Sequence, residues 1–106
     1  MELLPQELAK TLPKLYEQEE KGEEAIVHLK FFDPCSQWTW FVLEYDPVDQ
    51  IFFGLVRGHE IELGYFSLKG LQDYKGPLKI GIERDCWFKP KPLSEIKQSL
   101  GAHFDL

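Results

Sequence analysis

The chain has 106 residues, 43% hydrophobic and 14% aromatic, with 18 acidic against 12 basic side chains and a net charge of −6. That length fits one domain, 1–106, able to bury its own core. It shows no apolar run of the ~18–20 residues a membrane helix needs and no basic-then-apolar leader, and its two cysteines form no CxxC pair, which excludes membrane, secreted disulfide-rich and collagenous classes and points to a cytoplasmic protein with reduced thiols.

Leu4, Leu8, Leu12, Leu15 and Tyr16 recur at spacings of four and three, which predicts an N-terminal helix within 3–16. Pro5 suits its first turn, and Pro13 predicts a stop or kink near Thr11 or Leu12. Residues 18–24 show no apolar period and read as a solvated connector.

From 25 to 68 the period becomes two. Four runs, 25–32, 38–45, 50–57 and 60–68, are rich in aromatic and β-branched residues and separated by turn formers. Such short connections force antiparallel neighbours, so the runs predict a four-stranded meander. Gly58-His59 reads as a two-residue hairpin loop, which pairs Arg57 with Glu60, Leu55 with Glu62 and Gly54 with Leu63. Phe52, Val56, Ile61, Leu63 and Tyr65 then share one face, and Phe53, Leu55, Arg57, Glu60, Glu62 and Phe66 the other. In the second run Trp38, Trp40, Val42 and Glu44 oppose Thr39, Phe41, Leu43 and Tyr45.

Beyond the meander, Ser67 caps a short predicted helix to about Tyr74, Gly76-Pro77 breaks it, and 79–87 is extended. A last short helix is capped by Ser94, with Ile96 and Leu100 four apart and Gly101 just past its end. The class is α+β: a four-stranded antiparallel meander with an N-terminal helix and short helices after the sheet.

Both faces of this sheet are apolar, and each uncovered Phe or Leu forgoes ~1.5–3 kcal/mol of burial. Monomers seldom leave a large apolar patch open. Either the two ends of the chain each cover one face, or a protein partner or second copy covers one. On the latter reading Trp38, Trp40, Phe53 and Phe66, with Arg84, are the candidate binding residues.

His59, Glu60 and Glu62 are the nearest approach to a catalytic or cation-binding group. Two carboxylates on one strand face suit a hard cation and a cation-assisted hydrolase or nuclease, with Arg84 as an accessory. The run lacks the second histidine of HExxH, and a solvated strand edge with an Arg57–Glu60 pair explains it equally. In Glu83-Arg84-Asp85 the neighbours point away from Arg84, which leaves it to bind an anion or to bridge Glu44, Glu60 or Glu62. Residues 75–91 carry Lys75, Lys79, Arg84, Lys89 and Lys91 against Glu83 and Asp85. This basic stretch allows nucleic-acid binding, which the overall negative charge disfavours. No nucleotide loop, Rossmann glycines, nucleophile elbow or zinc spacing is present, so neither a cofactor nor a bound metal is expected.

Taken together, Ile26-Val27-His28-Leu29-Lys30-Phe31-Phe32, Trp38-Thr39-Trp40, Phe52-Phe53-Gly54-Leu55-Val56, Gly58-His59-Glu60, Glu62-Leu63-Gly64-Tyr65-Phe66-Ser67-Leu68, Glu83-Arg84-Asp85 and Phe88-Lys89-Pro90 resemble the bacterial family catalogued as domain of unknown function 2958. The likeness spans the Leu12-Pro13 segment to Pro92. Asp49-Gln50 departs from it, since relatives often place a glycine in that turn. The resemblance implies a small cytoplasmic accessory protein of plasmids and other mobile genetic elements, and carries no catalytic residues with it.

Overall fold

The computed structural model describes residues 1–101. In chain order the elements are α1 (Gln6–Ala9), β1 (Ile26–Val27), β2 (Leu29–Phe32), β3 (Thr39–Asp46), β4 (Ile51–Arg57), β5 (Ile61–Ser67), α2 (Leu68–Asp73), β6 (Glu83–Arg84), β7 (Lys91–Pro92) and α3 (Leu93–Ser99). Short 3-10 turns occupy Glu19–Glu24 and Pro77–Lys79. No described helix is long and apolar enough to cross a membrane.

The fold is α+β, but its antiparallel sheet has five strands rather than four, in the order β5-β4-β3-β2-β6. The meander from β2 to β5 matches the period-two runs. The fifth strand, β6, pairs Arg84 with Phe31 and Glu83 with Phe32. It lies inside the 79–87 stretch predicted as extended, but two residues are too few to show a period and so to mark a fifth sheet strand. The first predicted strand is interrupted at His28, and its first half pairs instead with β7, Ile26 opposite Pro92.

The N-terminal helix shrinks to one turn. Leu8 and Ala9 donate to the Pro5 carbonyl (3.0 and 2.9 Å), and the Thr11 hydroxyl donates to the Leu8 carbonyl (2.7 Å). Pro13 has no N–H with which to continue. Its carbonyl accepts from Tyr45 (2.8 Å), tying the segment to β3. Leu4 and Leu12 are nevertheless buried, with Leu8 packed beside them. At the other end α3 begins at Leu93, so Ser94 lies inside the helix rather than capping it.

The β4–β5 loop contains three residues, not two. Gly58, His59 and Glu60 all lie in it, Gly58 donating to the Glu60 carbonyl (2.9 Å), so Arg57 pairs with Ile61 and Leu55 with Leu63. A one-residue slip turns every side chain of a strand over. Leu63 and Tyr65 therefore join Leu55 and Phe53, while Phe66 moves to the face of Phe52. A second displacement lies in β3, where the register shifts between Val42 and Glu44. This bulge returns Tyr45 to the face of Val42. Gly54 opposes Val42 beside it, and a Cβ there would collide with the Phe41 carbonyl oxygen. In the β3–β4 turn Gln50 has φ 55°, the left-handed conformation that a glycine adopts freely.

Both faces are covered by the chain itself. Leu3, Leu4 and Leu12 with Leu68, Leu71 and Ile82 pack over Phe31, Val42, Tyr45 and Phe52. Leu93 and Ile96 of α3, with Ala25 and Val27, pack over Phe41, Leu43 and Leu55. A partner is not required to close a whole face. Local openings remain, at Trp40 and Phe66 on the first face and at Leu63 and Tyr65 (44% and 57% exposed) beside the second.

The connector is solvated over Glu19–Glu24, as its lack of apolar period predicts, but anchored at its start through Gln18. Glu44, 4% exposed, accepts the Tyr16 N–H on Oε1 (2.8 Å) and the Gln18 N–H on Oε2 (2.7 Å). Gln18, equally buried, donates Nε2 to the Ile26 and Leu43 carbonyls (both 2.9 Å) and accepts the Ile26 N–H on Oε1 (2.7 Å). Tyr16 sits at φ 70°, uncommon for an aromatic residue, where its N–H meets the carboxylate. Replacing Glu44 by Ala strips two backbone donors of a carboxylate acceptor and should lower the unfolding free energy by about 3 kcal/mol in urea titrations. A loss below about 1 kcal/mol would mean that water replaces the carboxylate at little cost.

Candidate functional site

The opening on the first face is an aromatic pocket of about 360 Å³. Trp38 and Trp40, two apart, project to one side of the sheet, with ring centroids 5.9 Å apart and planes at 31°. Phe66 enters from β5 and stacks on Phe52 at 5.3 Å, which in turn meets Tyr45 at 4.7 Å and Phe31 at 5.5 Å. The chain turns from β5 into α2 where the Ser67 hydroxyl accepts the Gly70 N–H (2.9 Å). Gly70 and Tyr74 complete the wall.

Asp33 lies at the pocket's polar corner, buried. Its Oδ1 accepts the Cys35 N–H (2.9 Å), and Oδ2 accepts the Ser36 hydroxyl (2.9 Å) and the Tyr74 hydroxyl (3.2 Å). These bonds, the one from Cys35 foremost, hold its carboxyl below the usual range despite burial. Desolvation and then the Asp33 contact push the Tyr74 hydroxyl upward. The pocket is thus an apolar cup with one ionised, fully hydrogen-bonded carboxylate.

Of the sequence-predicted binding residues, Trp38, Trp40 and Phe66 converge here and two do not. Phe53 lies on the opposite face, its ring 5.0 Å from Tyr65, in a cavity of about 330 Å³ that Glu44 also lines. Arg84 bridges none of the sheet acids. Its Nη1 donates to the Glu2 and Leu3 carbonyls (both 2.7 Å), fastening the N-terminal segment to β6.

The candidate catalytic group is dispersed by the longer loop. His59 lies edge-on to Trp38, with centroids 5.4 Å apart, Glu60 is in the turn and Glu62 is on exposed β5. The expected Arg57–Glu60 pair is absent, and Arg57 donates instead to Gln37 Oε1 (3.4 Å). Among the described residues no three His, Cys, Asp or Glu side chains gather as a metal site. The basic stretch also divides. The Lys75 backbone pairs antiparallel with that of Gly81, whereas Lys89 and Lys91 line a separate groove. Cys35 and Cys86 are exposed and unbridged. Asp33 and Tyr74 were missed as site residues because each read only as a turn or helix end, and nothing local joins positions so far apart.

The chain matches the family described as "Protein of unknown function (DUF2958)" over residues 3–100 and belongs to it. No curated protein matches it significantly. No solved structure does either.

Because its hydrogen bonds depress Asp33 below the ordinary 3.8, ionised Asp33 favours the fold above that pH, and this contribution fades as pH falls through the folded value. Thermal unfolding of the wild type and Asp33→Asn should differ most near neutrality and converge in acid. A gap unchanged between neutral and about pH 2–3 would contradict this assignment.

Proposed function

We propose that this family member is an interaction module whose aromatic pocket receives an apolar side chain of a protein partner. One observation carries the reading: after the chain has covered both faces of its sheet, Trp38, Trp40, Phe66 and Tyr74 still line one open apolar cup. Its volume of about 360 Å³ falls in the usual ligand-site range, and aromatic pockets of this kind anchor protein interfaces. The half-buried Asp33–Tyr74 hydrogen bond stiffens the wall and so lowers the ordering cost of docking. The proposal sets this binding in the cytoplasm, as an accessory of plasmids or other mobile elements, following the family resemblance. A cation-assisted hydrolase is less well supported, because His59 is engaged with Trp38 and Glu60 lies outside the strand that carries Glu62.

Titration with N-acetyl-phenylalaninamide and N-acetyl-leucinamide, followed through the indole N–H resonances, tests the pocket. Trp38 and Trp40 should shift while Trp87, 91% exposed and outside the pocket, stays still. Tyr74→Ala should weaken the response several-fold. Equal shifts at all three indoles, or none at Trp38 and Trp40, would overturn the assignment.

A further inference from the structure

On the opposite side of the sheet a groove of about 480 Å³ is bordered by Lys30 of β2, Arg57 of β4, and Lys89 and Lys91 from the segment leading into α3. Asp85 is the one acid among its lining residues. In a chain of net charge −6, four cations around one groove reverse the local field, and at physiological salt the local field governs contacts within a Debye length of ~8 Å. Asp85 compensates only Lys30, at 3.8 Å. Arg57, Lys89 and Lys91 have no carboxylate within ion-pair distance among the described residues.

Aromatic rings are interleaved with these charges. The Lys91 ammonium lies 5.3 Å from the Phe88 ring centroid, and Phe88 lies 6.4 Å from Phe41 in the groove floor. Trp87 stands at the edge, 91% exposed. An indole normally gains much from burial, so one left almost wholly in water beside uncompensated cations presents a free stacking surface. Its backbone is fixed, since the Trp87 N–H donates to Asp85 Oδ1 (2.9 Å).

We propose that this groove binds single-stranded nucleic acid, with phosphates against Arg57, Lys89 and Lys91 and a base stacked on Trp87. Cations supply the sequence-independent attraction, and an exposed ring supplies the stacking platform that single-strand binders use. A duplex keeps its bases paired and offers Trp87 no free face. The site is separate from the aromatic pocket and stands without it. It also differs from the whole 75–91 stretch, because Lys75 and Lys79 lie outside it while Lys30 and Arg57 belong to it.

Fluorescence anisotropy with a labelled oligothymidylate at low salt is the test. Binding is expected, with log K falling against log[salt] at a slope of about −2 to −3, as three or four phosphate contacts on a single strand would give. Trp87→Ala, which removes an exposed side chain, should weaken binding about tenfold. Arg57→Gln with Lys89→Gln should flatten the slope by about 1.4. Lys75→Gln with Lys79→Gln should change neither. Absence of binding, indifference to Trp87→Ala, or equal affinity for a duplex, for thymidine monophosphate or for polyglutamate would each overturn the proposal.

Discussion

A buried carboxylate at a bulge holds the two halves of this small domain in relation to each other. Without the bulge of β3, Tyr45 would fall on the wrong face and Glu44 would lose its position beneath the connector. With it, Glu44 takes two backbone N–H groups from a segment that has almost no regular structure, and Gln18 passes the connection on to β1 and β3. Among the described residues every buried side-chain nitrogen and oxygen has a partner, the condition under which burial of charge is tolerated. The N-terminal leucines and Ala25 then lie over opposite faces of the sheet because the segment between them is fixed at its middle.

Arg84 performs a comparable task at the opposite edge. Its guanidinium meets main-chain carbonyls and no acid, so it satisfies the polar backbone of an irregular segment laid beside a two-residue strand. The short edge β6 is thereby protected from pairing with other chains, whereas the seven-residue β5 remains open along its outer side. Glu62 on that strand is suitably placed to discourage adventitious edge pairing.

The strands of the meander were legible because aromatic and β-branched runs lie between unmistakable turn formers. Their faces were not. Gly58 announces a turn but not its length, and nothing local reveals that the Trp38 indole, just ahead of β3, lies where a Cβ at that glycine would be. The three-residue loop separates Phe53 from Phe66, two residues that a two-residue loop places together. The bulge was equally silent, since neither Leu43 nor Glu44 departs from the apparent alternation. Trp38, Trp40 and Phe66 could be picked out as apolar residues on a sheet, but the pocket they form needs Asp33 and Tyr74, joined across the fold by one hydrogen bond. Arg84 could be singled out as free of its neighbours, while its carbonyl partners at the far end of the chain left no local trace.

The aromatic cup and the basic groove follow from a mismatch of lengths. β3 has eight residues and β4 seven, so at ~3.3 Å per residue each spans more than ~20 Å. The helices laid over them have four, six and seven residues, and at 1.5 Å per residue none exceeds ~11 Å. Helices half the length of the strands bury the middle of each face and leave its ends uncovered. On the first face the uncovered end carries Trp38, Trp40 and Phe66, and on the second it is edged by Arg57, Lys89 and Trp87. Longer helices would have enlarged the core and erased both surfaces. Shortness at α2 is local, since Gly70 weakens the helix and the chain is already extended at Tyr74, ahead of Gly76-Pro77, and this early end keeps the aromatic cup open.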